Sequence, residues 1–228
     1  MEIKVIVITG ASRGLGKSLA EALIAKGAKV VVSARDKTEL EALGKQIGAF
    51  AVVGDVTKEA DMTSLVEKSI SKFGKIDIFI NNAGIWLPHA PIGEINMEQA
   101  HRVVEVNLFG TVNATRAVLP YFKNQGFGVL VNIVSSSALT GRPNSAMYSA
   151  SKWAVRGFTD SIREELKGTG IKVVGIYPGG IKTHLFDEKA PAEFSDFMAP
   201  EYAAEKIIEH IAGPTPEIDF ILKRPGQK

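Results

Sequence analysis

The chain has 228 residues, 45% of them hydrophobic and 23% charged, a composition suited to a globular protein built on one large core. Twenty-seven basic against 25 acidic residues leave a formal charge of +2, too balanced to point to a nucleic-acid or membrane-surface partner. With no cysteine, disulfides and thiolate metal sites are excluded, and the four histidines have no spacing that gathers metal ligands on one face.

The opening MEIKVIVITG has an apolar stretch, Ile3 to Ile8, far shorter than the roughly 20 residues of a membrane span, so cytoplasm is the default location. KVIVIT (4–9) reads as a strand and GKSLAEALIAKG (16–27) as an amphipathic helix closed by Gly27. Strand 28–34, helix 38–47, strand 50–56 and helix 61–74 follow. Strand 76–82, a helix over 101–122 with Pro120 marking a kink or its end, and strand 128–136 continue the rhythm. Helix 149–168, strand 172–178, helix 200–211 and strand 217–222 complete it. The strands are continuously apolar, as a sheet covered on both faces requires. The alternation predicts one α/β domain over 1–228 with a doubly wound parallel sheet, and ligands bind such sheets at the carboxyl ends of the strands.

TGASRGLGKS (9–18) lies between a strand and a helix. Its glycines, Gly10, Gly14 and Gly16, let backbone approach a ligand closely, and the helix start offers free N–H groups to a phosphate. Two classes of phosphate binder compete here, a dinucleotide loop and a P-loop. ASRGLGKS (11–18) meets the P-loop pattern except for Ala11, and Asp55 is the best-placed acid for magnesium.

TGASRGLG resembles the cofactor loop TGxxxGxG of the short-chain dehydrogenase/reductase family, and further motifs of that family follow in order. Asp55-Val56 is similar to its adenine-contacting pair, NNAG (81–84) to its signature after the fourth strand, and PGGIKT (178–183) to its nicotinamide loop. Asn107, Ser135, Tyr148 and Lys152 are similar to its catalytic tetrad. Ser135 stands thirteen positions before Tyr148, the family's spacing, with Ser136 in reserve. The resemblance covers about residues 4 to 183 and implies a Rossmann fold with three α/β/α layers. It implies a hydride-transferring enzyme whose cofactor contacts are Gly10, Ser12, Arg13, Gly14, Leu15, Gly16, Arg35, Asp55, Val56, Asn82, Ala83, Gly84, Tyr148, Lys152, Pro178, Gly179, Ile181 and Thr183. It also implies that Asn107 holds a water linked to Lys152 and that the carbonyl or alcohol substrate meets Trp86 and Phe186. The segment 184–199 would be a lid whose Phe186, Phe194, Phe197 and Met198 form an apolar wall or a short helix packed on the body. Helices carrying Asn107 and Tyr148, with Trp153, Ala154, Gly157 and Phe158, would pair subunits into a homodimer or homotetramer.

Residues at i and i+4 share a helix face, so the Lys152 ammonium can lie near the Tyr148 phenol. A nearby cation favours phenolate and would bring the tyrosine down from about 10 toward the range of general acid–base catalysis. The second strand ends VVVSARD. Arg35, with Arg13, suits a 2′-phosphate and predicts NADP(H) over NAD(H), whereas a one-residue shift would put Asp36 at the ribose. The rival readings are a nicotinamide-binding sensor without turnover and a P-loop nucleotide hydrolase. His89, His101, His184 and His210 read as surface or supporting residues.

Overall fold

The computed structural model describes residues 4–187, 189–191, 193–213 and 218–224. Seven strands form one sheet: β1 (Val5–Thr9), β2 (Lys29–Ala34), β3 (Phe50–Val53), β4 (Ile78–Asn81), β5 (Gly128–Ile133), β6 (Ile171–Pro178) and β7 (Asp219–Leu222). Their order is β3-β2-β1-β4-β5-β6-β7, every neighbouring pair parallel, so the topology reverses between β1 and β4. The helices are α1 (Gly14–Ala25), α2 (Lys37–Ile47), α3 (Glu59–Phe73), α4 (Met97–Val104), α5 (Gly110–Gln125), α6 (Ala146–Glu165) and α7 (Pro200–Ala212). Among the described residues no helix is long and apolar enough to cross a membrane.

Side chains alternate across a strand, and here both faces are apolar because both are covered. Ile6 and Ile8 of β1 face Leu15, Leu19 and Leu23 of α1 and Ile207 and Ile208 of α7. Val7 between them faces the other layer, with Met62 and Leu65 of α3 and Val118 and Phe122 of α5. Leu19, Leu65 and Phe122 are fully buried, each contributing about 1.5–3 kcal/mol by leaving water. The start of α2 is capped by Asp36, whose carboxylate accepts from the Glu39 N–H at 2.9 Å, and Gly48 closes it with φ of +76°.

Several sequence readings of element limits change, and those that bear on the site are these. The helix expected over 101–122 starts at Met97 and runs as α4, a π-helical turn (Glu105–Phe109) and α5 to Gln125. The Gly110 N–H donates to the Glu105 carbonyl five residues back, which inserts one residue into the turn that carries Asn107. Pro120 does not end the helix, because Leu119 and Phe122 beside it are anchored in the core and that burial offsets the ~3 kcal/mol cost of the ring. Strands β3 and β5 stop at Val53 and Ile133, so Asp55 and Ser135 sit in the turns beyond them. Of the strand expected over 217–222, residue 217 lies outside the described residues.

A polar seam crosses the core at the carboxyl ends of β4 and β5. Asn81 Nδ2 donates to Thr115 Oγ1 of α5 at 3.1 Å and to Asn132 Oδ1 of β5 at 2.9 Å. Asn132 Nδ2 donates to Thr159 Oγ1 of α6 at 2.9 Å, and that hydroxyl donates to the Val155 carbonyl at 2.7 Å. All four side chains are buried, so a lost partner leaves a group without water to replace it. Thr159→Val keeps the volume and strands the Asn132 amide. Urea unfolding should show a loss of about 1–3 kcal/mol, and an unchanged midpoint would mean that the seam contributes nothing to stability.

Candidate active site

The turn after β1 is pressed against the turn after β4. Gly10 has φ of +64°, and a Cβ there would sit 2.6 Å from Ala83 Cα; one at Gly16 would sit 2.5 Å from the Gly10 carbonyl oxygen. Hydrogen bonds close the same joint. Thr9 Oγ1 accepts from the Asn82 and Ala83 N–H groups at 3.1 and 3.2 Å. Asn82 Nδ2 donates to the carbonyls of Thr9 and Gly10 at 2.9 and 3.0 Å. No side chain caps the start of α1 and its first turn holds no acid, so its N–H groups and dipole are left for an anion.

From this joint a cavity of about 880 Å³ runs along the carboxyl edge of the sheet, a size near the top of the roughly 300–1,000 Å³ range of ligand pockets. Every residue expected to contact the cofactor lines it, as do Ser135, Trp86 and Phe186, whereas Asn107 does not. At one end lie Arg35, Asp36 and Asp55. Asp36 caps α2 through one carboxylate oxygen, and Arg35 and Asp36 both follow β2 at the cavity. Burial alone would raise the Asp55 carboxyl, but hydrogen bonds from Thr57 and the charges of Arg35 and Arg102 hold it below the usual range. Arg13 lies on the surface of the glycine loop, 4.0 Å from Asp187.

At the other end Ser135 ends the turn after β5. Its hydroxyl accepts from the Ser137 N–H at 3.1 Å and lines the cavity together with Tyr148, while Ser136 meets Arg142 Nη2 at 3.5 Å. Tyr148 and Lys152 stand one turn apart on α6 and are 9% and 7% exposed. Lys152 Nζ donates to the Ile133 carbonyl at 3.2 Å. Burial pushes the ammonium down to about 8 and raises the phenol above its usual value. Ser135 and the charge of Arg142 pull the phenol the other way without overcoming burial. This corrects the expectation that Lys152 lowers the tyrosine: here burial dominates both groups, and the cation that acts on the phenol is Arg142.

Asn107 holds the architecture from behind. Its Nδ2 donates to the Ile85 carbonyl and Ser151 Oγ, each at 3.0 Å, and its Oδ1 accepts from the Ile85 N–H at 2.8 Å. The side chain thereby fixes the segment after NNAG to α6. A Cβ on Gly84 would lie 3.2 Å from Asn107 Oδ1 and 3.6 Å from Lys152 Nζ, so a larger residue would crowd Asn107 where these groups converge.

The segment after β6 forms two short 3-10 turns, His184–Phe186 and Phe194–Asp196. The Phe186 ring packs on Trp86 at 5.0 Å, on Phe197 at 5.3 Å and on Phe194 at 5.8 Å. Met198 is buried, pinned by its N–H to the Gly180 carbonyl at 2.9 Å. Both expected roles of this segment therefore coexist: Phe186 and Phe197 line the cavity while Met198 packs on the body. Sequence reading gave no part to Arg142, His89 or His184, which also line it. Their signal was position alone, in or beside turns that follow strands.

Residues 4–193 match the model of the short chain dehydrogenase family. An uncharacterized oxidoreductase of Staphylococcus saprophyticus is 42% identical over 191 residues, covering 81% of each chain. The structure of a 3-ketoacyl-(acyl-carrier-protein) reductase from Brucella melitensis, complexed with NADH, superposes with a TM-score of 0.88 at 34% identity, covering 96% of each chain. An alcohol dehydrogenase from the archaeon Thermococcus sibiricus, complexed with 5-hydroxy-NADP, gives a TM-score of 0.88 at 26% identity, covering 100% of this chain and 99% of that one. With the glycine joint, the reversal between β1 and β4 and the Tyr148–Lys152 turn already in place, these likenesses lead to one statement: the chain is an oxidoreductase of the short chain dehydrogenase family.

Proposed function

We propose that the protein is an NADP(H)-dependent reductase that interconverts a carbonyl compound and a secondary alcohol, with Tyr148 as general acid in reduction and general base in oxidation. The observation that carries this reading is that Ser135, Tyr148 and Lys152 line one cavity with an uncapped helix N-terminus. The nicotinamide cofactor, held by the glycine joint and the turns after β2, β4 and β6, supplies the hydride. Tyr148 gives its phenolic proton to the substrate oxygen, and its raised pKa keeps that proton in place at neutral pH. Ser135 donates a hydrogen bond to the same oxygen as charge develops on it. Lys152, buried one turn from Tyr148 and lining the cavity, serves to bind the ribose next to the nicotinamide. Asn107 positions Lys152 and the segment at Ile85 without touching substrate.

The preference for NADP(H) is supported by Arg35 at the cavity and by Arg13 in the glycine loop. A homodimer formed through α5 and α6 is supported by the exposed aromatic rings of Trp153 on α6 and of Phe109 just before α5.

The test is NADPH oxidation by the purified protein against diketones, quinones, ketoacyl thioesters and sugars. Tyr148→Phe should lower kcat at least about a thousandfold and leave NADPH binding within about threefold. NADH in parallel should give kcat/KM lower by about tenfold or more. Tight NADPH binding with no turnover anywhere would favour a sensor, and equal use of NADH would remove the role given to Arg13 and Arg35.

Burial of Lys152 also has a stability consequence. The folded group loses its proton near pH 8 and the unfolded one near 10.5, so between these values the unfolded chain binds more protons and stability rises with pH. The raised Tyr148 works in the opposite sense only above about pH 10. In urea unfolding of the cofactor-free protein, wild type should gain about 2 kcal/mol relative to Lys152→Met between pH 8 and 10. A constant difference across that window would contradict a desolvated ammonium.

A further inference from the structure

The substrate end of the cavity carries a cation that the mechanism above does not use. Arg142 lies in the turn between β5 and α6 and lines the cavity with Ser137, Ser145, Trp86 and His89. Its guanidinium reaches the Ser136 hydroxyl at 3.5 Å, one residue from Ser135, and its charge acts on the Tyr148 phenol. Its backbone is held: the Ser145 N–H donates to the Arg142 carbonyl at 3.4 Å, and Asn144 adopts a left-handed φ of +60°. The Ala90 N–H donates to the Asn144 carbonyl at 2.9 Å, tying this turn to the segment that carries Trp86 and His89. Asparagine is among the few non-glycine residues that adopt this conformation readily.

Among the described residues no carboxylate pairs with Arg142. The acids that line the cavity have other places. Asp187 pairs with Arg13 and His184 at 4.0 and 3.1 Å, and Asp55 is held by Thr57 and faces Arg102 at 3.8 Å. Asp36 caps α2, Glu39 stands in the first turn of that helix, and Glu193 belongs to the segment after β6. Arg142 is exposed at the cavity wall, 3.5 Å from the Ser136 hydroxyl, and lines the cavity with Trp86; its planar fork can match a carboxylate with two parallel hydrogen bonds.

We propose that Arg142 is a specificity residue that receives the carboxylate of the substrate, so that the substrate class is an aryl or otherwise apolar oxo acid and the hydroxy acid formed from it. The proposal rests on the reductase reading and names its substrate. The carboxylate takes Arg142, the apolar group takes Trp86 and Phe186, and the carbonyl oxygen takes Ser135 and Tyr148. The carbonyl carbon gains hydride from the reduced nicotinamide, the C=O π pair moves to oxygen, and that oxygen takes the Tyr148 proton. Hydroxy acid and oxidised nicotinamide result, and the carboxylate is unchanged.

The experiment compares benzoylformate and 4-oxo-4-phenylbutanoate with their methyl esters, in wild type and Arg142→Met, with NADPH. Calorimetry follows binding of the two acids to the cofactor-loaded protein. Wild type should favour at least one acid over its ester by about tenfold or more in kcat/KM. Arg142→Met should lower the acid-to-ester ratio of kcat/KM by about tenfold or more, mostly through KM for the acid, with the Kd for NADPH within about threefold. Arg142→Lys should restore part of the loss. Equal use of acids and esters, or an equal fall on both in the variant, overturns the proposal, as does absence of binding by either acid. Binding that depends on Arg142 without any turnover supports the carboxylate site and overturns the reductase reading instead.

Discussion

The close approach of the turns after β1 and β4 is the constraint on which the rest of the molecule depends. At this point the crossovers leave on opposite faces of the sheet, and a crevice opens above the strand ends. Thr9 and Asn82 lock the floor of that crevice with four hydrogen bonds, and the lack of side chains at Gly10 and Gly16 lets the backbones meet. The start of α1 is thereby aimed into the cavity with its N–H groups unused. Every other functional element is placed relative to this joint.

The far end of the cavity is governed by burial. Tyr148 and Lys152 are one helical turn apart, yet removal of water raises the first and lowers the second, and proximity does not reverse it. The buried phenol therefore holds its proton at neutral pH. The π-helical turn belongs to the same design. It presents Asn107 toward Ile85 and Ser151, joining the β4 turn to α6 behind Lys152. The polar seam from Thr115 to Thr159 ties α5 and α6 to β4 and β5 just below.

The parallel sheet was legible in continuously apolar strands such as 5–9 and 29–34, because a strand covered on both faces leaves no alternation to misread. The cavity was legible because its residues cluster at strand ends and fall into motifs with fixed order. The π turn was not, since one inserted residue disturbs the apolar period too little to register over 101–122. The direction of the Tyr148 shift was hidden for a different reason: it depends on how distant segments exclude water, which spacing along α6 does not report. Asp36 illustrates a signal that was present and unused. An aspartate followed three positions later by Glu39 at a helix start is a capping pattern. Arg142 lay in a turn without periodicity, where sequence offers position and little else.

The central claim is that hydride moves between nicotinamide and a carbonyl carbon in this cavity, and isotope transfer tests it directly. Reaction with NADPH carrying deuterium on one face of nicotinamide C4, and then on the other, would be followed by NMR of the alcohol produced. The account predicts one deuterium on the carbinol carbon from one of the two labelled cofactors and none from the other. An alcohol without deuterium from either cofactor, or consumption of NADPH with no alcohol formed, would contradict it.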